Sequence, residues 1–362
     1  MSSLALYPRE CQTLNGGPHT RPAPPRRPGG GGTGGDDHRV APAGGTAYGA
    51  VMATIGSSGI EVSRLCLGAN VFGWTADRDT SFAVLDAYTD AGGNFVDTAD
   101  SYMWRKPGNS GGESETIIGD WLAARGRRDD VVIATKVGGW PQRPGLSAAN
   151  IAAACDDSLR RLRTDRIDLY YAHRDDEDTT QEETLDAFDG LVKAGKVRAL
   201  GASNFSAERL RSALDVAARD GLTAYAALQP HYNLVERAEF EATLAPVLAA
   251  EGVACVPYYG LAKGFLTGKY RDGGADVDSP RADGARAYLD DRGRAVLAVL
   301  DEIAAGHEVP VAAVALAWLA AQPTVAAPIA SARNPEQLAQ LLPTLDLTLT
   351  DDELRLLSHV SA

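Results

Sequence analysis

Nowhere do these 362 residues approach the ~18 consecutive apolar residues of a membrane-spanning helix, so no transmembrane segment is expected. The N-terminus lacks the continuous apolar stretch of a secretory signal. Positive charge is in deficit: 35 Lys and Arg stand against 48 Asp and Glu, a formal net charge of −13. That balance argues against a general binder of nucleic acid or anionic membrane, although a local cluster of donors can still hold an anionic cofactor. Cysteine is scarce. Cys11, Cys66, Cys155 and Cys255 form no CxxC and no regular spacing, which fits reduced thiols in a cytoplasmic protein better than disulfides or a zinc site. The 6 histidines show no HExxH or comparable ligand spacing, so no metal is expected. Genuine nucleotide loops are missing too. GGGTGG at 30–35 matches G-x-G-x-x-G, but a proline-arginine run precedes it where a strand is required. GLVKAGKV at 190–197 nearly spells a P-loop, but Val197 replaces Ser/Thr and a strand follows.

What is present divides the chain in two. Residues 1–51, with RPAPPRRPGGGGTGG at 21–35, carry no apolar periodicity and cannot bury enough surface to offset ordering entropy. A disordered Pro/Gly/Arg-rich extension is expected there, with Met52 as a candidate alternative start. From 52 to 362, short apolar β-branched runs alternate with stretches of helical period. Strands are expected over 65–68, 95–97, 131–136, 167–173, 197–203, 227–229, 253–257 and 325–329. A two-stranded plug over 54–62 precedes them. Helices are expected over 80–91, 114–123, 148–162, 183–194, 207–218 and 239–250, several stopped by Gly92, Gly195, Gly221 or Gly252. Eight apolar strands alternating with helices imply a parallel sheet covered on both faces, and a (β/α)8 barrel is the expected α/β fold. An open doubly wound sheet is the alternative, but its fingerprint after the first strand is missing.

In such a barrel, functional residues sit at strand C-termini. Polar groups close several of these strands: Asp97, Lys136, His173, Ser203 with Asn204, and Gln229. Each alone is more simply a satisfied strand-end residue; all together they point to one pocket. Tyr102 lies five residues beyond Asp97. A free phenol, with pKa ~10, is a sluggish acid near neutrality, and a neighbouring ammonium lowers that value. Lys136 suits that role. Asp97 would hold Lys136 charged, and His173 would donate to a substrate oxygen or help move the proton. The set suits protonation of an oxygen that gains negative charge as a carbonyl is reduced by hydride, which a nicotinamide cofactor must supply.

The blocks GGNFVDTADSY, ATKVGG, IDLYYAHRDD, LVKAGKVRALGASNF, QPHYNL and PYYGLAKGFLTGKY resemble the aldo-keto reductases in order and spacing, over essentially all of 52–362. The resemblance implies a (β/α)8 barrel, NADPH as the usual cofactor (NADP before NAD), and reversible reduction of an aldehyde or ketone. It maps the family's catalytic tetrad onto Asp97, Tyr102, Lys136 and His173, with Tyr102 as proton donor. It implies that Ser203, Asn204 and Gln229 hold the nicotinamide carboxamide and that Tyr258 stacks on the ring. Gly68, Ala69 and Asn70 would meet the cofactor at the first strand. Tyr259, Gly260, Leu261, Lys263 and Lys269 would belt the pyrophosphate. Ser331, Arg333, Gln337 and Gln340 would form the adenosine-phosphate site, where Arg333 favours NADP.

There are departures. Leu341 replaces an Asn that many members carry near the adenine, Tyr259 replaces a common Ser, and the loop MWRKPGNSGG at 103–112 is longer than usual. Trp104 and Trp140, with Tyr259, are expected to wall an aromatic pocket around the substrate beside Tyr102 and His173. The loops over 103–112, 140–145 and 270–291 would set specificity. The physiological substrate, the direction of reaction and the oligomeric state are not legible, and no obligate protein partner is evident. A redox sensor resembling the potassium-channel β-subunits is the alternative function. A Schiff-base lyase or isomerase using Lys136 is weaker, because it leaves Tyr102 and His173 unexplained together.

Overall fold

A computed structural model describes residues 51–271 and 281–362. The expectation for 1–51 thus falls, all but its last residue, outside the described residues, as does part of the 270–291 loop. The chain enters through an antiparallel hairpin, β1 (Met52–Thr54) and β2 (Glu61–Ser63), joined by a 3-10 turn at Gly56–Ser58. Gly59 closes that turn at φ 68°, a left-handed conformation that glycine adopts without strain.

Eight strands follow: β3 (Cys66–Gly68), β4 (Phe95–Asp97), β5 (Val132–Val137), β6 (Ile167–Ala172), β7 (Val197–Ser203), β8 (Tyr225–Gln229), β9 (Ala254–Cys255) and β10 (Ile329–Ala330). All pair in parallel in the order β10-β3-β4-β5-β6-β7-β8-β9. Hydrogen bonds from Cys255 N to Thr324 O (2.7 Å) and from Ala326 N to Cys255 O (2.9 Å) join the two ends. The sheet closes into the expected (β/α)8 barrel.

The pleat sorts the side chains into two layers. Cys66, Phe95, Ala134, Leu169, Tyr171, Ala199, Ala227, Ala254, Val256 and Ile329 form one buried cluster, which the alternation along each strand places inside the barrel. Ile55, Ile60 and Val62 of the hairpin belong to the same cluster and close it from the strand N-terminal side. The other strand face, with Leu67, Val96, Ile133, Tyr170 and Leu200, packs on the helices. Small residues make room for large ones inside. A Cβ on Gly201 would lie 2.4 Å from the ring of Tyr171.

Two strands differ from expectation. The last one pairs only at Ile329–Ala330, with Val325 reduced to an isolated bridge to Cys255. The seventh stops at Cys255. Pro328 and Pro257 have no N–H to give to a ladder, so the ladder shortens around both. His173 stands one residue past β6 rather than inside it. The helix expected over 239–250 begins instead as a π turn at Phe240–Leu244 before Ala245–Glu251, where Pro246 removes a donor. Helices Asp291–His307 and Val311–Ala320 are additional to those expected. No single described helix is long and apolar enough to cross a membrane.

Helix Glu113–Arg125 meets helix Ala148–Leu162 so closely that a Cβ on Gly119 would sit 2.0 Å from the Arg161 carbonyl oxygen. We expect Gly119→Ala to push these helices apart and cost ~1–3 kcal/mol, read as a lower urea midpoint at unchanged slope.

Candidate active site

The period-2 alternation that buries Phe95, Ala134, Leu169 and Ala227 inside the barrel also turns Asp97, Lys136, Tyr171 and Gln229 inward, two residues later on each strand. Register pairs Lys136 with Tyr171 and Ser203 with Gln229, while Asp97 pairs with Gly68 and Ala134, two residues before Lys136; the long Lys136 side chain spans that offset to reach Asp97. The polar groups thus gather at the C-terminal end of the barrel, above an apolar interior.

Lys136 is the centre of that layer. Its side chain is fully buried. Its Nζ donates to Asp97 Oδ2 at 2.6 Å, to the Thr98 carbonyl at 2.7 Å and to Tyr102 Oη at 2.7 Å. An ammonium has three protons, and here each finds an acceptor. Burial pulls the Lys136 pKa below its ordinary value, while the Asp97 carboxylate pulls it back up. Tyr102 Oη donates to Asp97 Oδ2 at 3.1 Å, and Gln229 Nε2 donates to Asp97 Oδ1 at 2.9 Å. Asp97 thus accepts from three residues on three different segments.

His173 reaches the same place from the end of β6. Its ring lies edge-on to Tyr102, with centroids 6.0 Å apart. Burial, then the positive charges of Lys136 and Arg174, hold its pKa well below the usual imidazole value. His173 is therefore neutral at physiological pH, with one N–H to offer.

The expected ring-binding residues belong to the same network. Ser203 Oγ donates to the Gln229 carbonyl (2.9 Å), Asn204 Nδ2 to the His173 carbonyl (2.9 Å), and Tyr258 Oη to Asn204 Oδ1 (2.9 Å). Asn204 holds φ at 58°, an uncommon conformation that Asn tolerates better than most residues. His231 stacks flat on Tyr258 at 5.5 Å and meets Tyr259 edge-on at 5.4 Å.

A second group lies around β3 and β10. Ser331 Oγ donates to Asn70 Oδ1 at 2.8 Å. Gly68 must be glycine here, because a Cβ would stand 2.6 Å from Ser331 Oγ and 2.8 Å from Ile329. Ala69 is fixed by its backbone: its N–H reaches the Asp97 carbonyl at 2.8 Å, and its carbonyl accepts from Ser114 Oγ at 2.8 Å. Gly260 lies under Leu316, which a Cβ would approach to 3.0 Å. Leu261 is half-buried, and Tyr259 and Lys263 both hold positive φ (55° and 60°). Gln337 Oε1 accepts from the Arg333 N–H at 3.1 Å. Lys269 reaches the surface, yet burial and the charges of Arg333 and Arg281 lower its pKa. Three cations close enough to repel one another suit a polyanion such as a dinucleotide.

Gln340 is exposed at the end of helix Pro335–Ala339. Leu341 is 3% exposed and belongs to the hydrophobic core. The Trp140 Nε1 lies where a Cβ on Gly111 would be 3.0 Å away, so this ring braces the 103–112 loop. Trp104 carries the Arg105 guanidinium 4.9 Å above its ring. Lys106 Nζ donates to the Gly73 and Trp74 carbonyls at 2.9 and 3.1 Å, which ties that loop to the turn after β3.

Sequence reasoning missed Thr98, whose carbonyl completes the lysine's shell, and Arg281, which lies over Trp74 and Tyr259 at 6.0 and 5.9 Å. It also missed His231 and the buried Asp100. A carboxylate three residues after Asp97 in one loop was the signal available for Asp100.

The profile of the Aldo/keto reductase family matches residues 64–362. An uncharacterized oxidoreductase, YrpG of Bacillus subtilis, is 36% identical over 316 residues, covering 84% of this chain and 94% of its own. A probable voltage-gated potassium channel subunit beta from rice (Oryza sativa subsp. japonica) is 36% identical over 304 residues, covering 81% and 90%. Norsolorinic acid reductase B of Aspergillus parasiticus is 32% identical over 322 residues, covering 84% and 82%.

The Lys136–Asp97 pair yields a stability test. Asp97→Asn leaves a buried ammonium short of its counter-charge, and Lys136→Met leaves the carboxylate without its cation. Each single change should cost ~3–5 kcal/mol. The double variant should lose clearly less than the sum, measured as a double-mutant cycle by chemical unfolding at pH 7.

Proposed function

We infer that this chain, which belongs to the aldo/keto reductase family, is an oxidoreductase that reduces an aldehyde or ketone with NADPH, reversibly, and that the barrel domain spans 52–362. The observation that carries this reading is the phenol of Tyr102, held 2.7 Å from the buried Lys136 ammonium and 3.1 Å from the Asp97 carboxylate.

Bound nicotinamide dinucleotide would supply the hydride. Ser203, Asn204 and Gln229 would hold its carboxamide, and Tyr258 would lie against the ring. Gly68, Ala69 and Asn70 leave backbone and small side chains on the approach from β3. Tyr259, Gly260, Leu261, Lys263 and Lys269 would hold the pyrophosphate; Ser331, Arg333, Gln337 and Gln340 would hold the adenosine phosphate. Arg333 and Lys269 are the reason to favour NADPH over NADH, since a guanidinium pairs well with an added phosphate.

Tyr102 gives its proton to the substrate oxygen. In the resting site that proton points at Asp97, so the hydroxyl turns away from the carboxylate as the substrate arrives. The phenolate left behind faces the Lys136 ammonium, which stabilises it where it forms. Asp97 keeps Lys136 charged against the cost of burial. Neutral His173 donates its one N–H to the same substrate oxygen and fixes the carbonyl's orientation. Trp104, Trp140 and Tyr259 would bound the substrate, which fits apolar or ring-bearing carbonyls. The name of the Aspergillus relative, a norsolorinic acid reductase, puts norsolorinic acid first in a test panel.

A regulatory role is the second reading, and the rice channel subunit is what favours it. The two separate on turnover: a cofactor-binding subunit would hold NADPH and consume none against any carbonyl.

Tyr102→Phe should keep NADPH affinity while lowering kcat by ~10²–10⁴, read as NADPH consumption beside fluorescence titration. Arg333→Ala should weaken NADPH binding about tenfold or more and leave NADH affinity nearly unchanged, with the difference shrinking in high salt.

A further inference from the structure

Met103 follows Tyr102 directly and holds φ at 60°. The Trp104 N–H reaches the Ser101 carbonyl at 3.4 Å, which closes a turn with Tyr102 second and Met103 third. Of these two central residues only Met103 has positive φ. A positive φ at the third place is the type II arrangement, which favours glycine there. Elsewhere on the 103–112 loop positive φ does fall on glycine, at Gly108, Gly111 and Gly112. Met103 is the exception, and a side chain in the left-handed region costs roughly tenfold in population. A strained residue persists only where its surroundings over-determine it. Here Lys106 Nζ donates to the Gly73 and Trp74 carbonyls at 2.9 and 3.1 Å, and Asn109 Nδ2 donates to the Gly73 carbonyl at 3.3 Å. The Lys106 N–H reaches back to the Met103 carbonyl at 3.0 Å.

The anchor on the far side is itself fixed. The Gly73 N–H bonds to the Ala76 carbonyl at 2.9 Å, and the Trp74 N–H to the Val71 carbonyl at 3.1 Å. Gly73 lies against helix Glu113–Arg125, where a Cβ would stand 3.0 Å from Glu113 Cβ. The Glu113 carboxylate in turn accepts from the Ser110 N–H at 2.5 Å and the Gly111 N–H at 3.0 Å. The middle and the end of the loop are therefore tied to the same place.

We propose that Lys106 is a positioning residue for Tyr102: by clamping the loop to the Gly73–Trp74 turn it keeps Met103 left-handed, and so keeps the phenol on the Lys136 ammonium. The proposal rests on Tyr102 as the proton donor argued above. Tyr102 and Lys106 lie on one short stretch of backbone, so the fixed end of that stretch sets where the phenol can go. Release of Lys106 lets φ of Met103 return to the negative range. The chain on either side of that torsion then turns, and Tyr102 Oη leaves its 2.7 Å contact with Lys136 Nζ in the relaxed population. An ammonium suits the task, because a charged donor holds a carbonyl roughly twice as strongly as a neutral one. Two lysines thus share the tyrosine. Lys136 holds its hydroxyl, and Lys106 holds the backbone that carries it.

The strain at Met103 separates this role from ordinary support of a loop. Glycine enters the left-handed region about as readily as the right-handed one. The clamp therefore matters while residue 103 carries a side chain, and matters little once that side chain is gone. A clamp that merely stiffened the loop would matter equally in both cases.

The test compares wild type, Lys106→Met, Lys106→Arg, Met103→Gly and the double variant Lys106→Met with Met103→Gly, all as full-length chains. NADPH-dependent reduction of benzaldehyde, or of whichever carbonyl in the panel turns over fastest, gives kcat and KM. Fluorescence titration gives NADPH affinity. Lys106→Met should lower kcat about tenfold and leave NADPH affinity unchanged. Lys106→Arg keeps charged donors and should recover most of that loss. Met103→Gly alone should stay within about twofold of wild-type kcat, and in that background Lys106→Met should cost only about twofold more. Equal losses in the two backgrounds, or no loss in Lys106→Met, would overturn the proposal. Crystal structures of wild type and Lys106→Met without cofactor give an independent reading. In the variant, Met103 should take negative φ and Tyr102 Oη should leave Lys136 Nζ; if both stay in place, the proposal is wrong. If wild type consumes no NADPH against any carbonyl, the functional reading fails, and the two crystal structures still decide whether Lys106 places Tyr102.

Discussion

A lysine ammonium with no access to water must find three acceptors or lose its charge, and the active end of this barrel is arranged around that demand. Asp97, Thr98 and Tyr102 meet it from a single segment, the end of β4 and the loop after it. The loop therefore cannot move without uncovering the ammonium. Tyr102 is thus placed by the solvation requirement of its neighbour as well as by the edge-on contact of its ring with His173. Gln229 closes the arrangement from the opposite side of the barrel, 132 residues away in sequence. A contact of that span ties the chemistry to closure of the whole sheet.

The interior below is built to make such burial possible. Alanine at 134, 199, 227 and 254 keeps the barrel lining thin, so the long side chains of Lys136 and Tyr171 can occupy its volume without strain. Glycine at 201 completes that allowance, since any side chain would strike the Tyr171 ring. The polar layer rests on close packing, and packing density is what keeps water out from beneath it.

The gathering of Asp97, Lys136 and His173 at one end of the barrel was legible in the sequence because strand period and strand end coincide there: an apolar run that stops on Asp, Lys or His carries a burial cost that only a partner or a task offsets. The hairpin was legible from its turn residues, and helices Ala148–Leu162, Gln181–Lys193 and Ala207–Asp220 were legible from their apolar stripes. Other features were hidden for identifiable reasons. Val311–Ala320 is apolar on every side and almost wholly buried, so it has no stripe to read. Pro257 and Pro328 shorten strands whose composition looks continuous. Leu341 stands where the family pattern puts an adenine contact, but it packs into the core. Asp100 left only its spacing from Asp97 to read, because its environment comes from afar: Glu115, Arg143 and Arg161 arrive on other elements.

The hairpin at the strand N-terminal side limits access. Ile55, Ile60 and Val62 seal that end of the barrel with close-packed hydrocarbon. Among the described residues, a molecule that came to Lys136 and Tyr102 would have to approach from the strand C-terminal side. The direction of approach is thus set by a stopper at the opposite end of the barrel, made of residues remote from the polar layer.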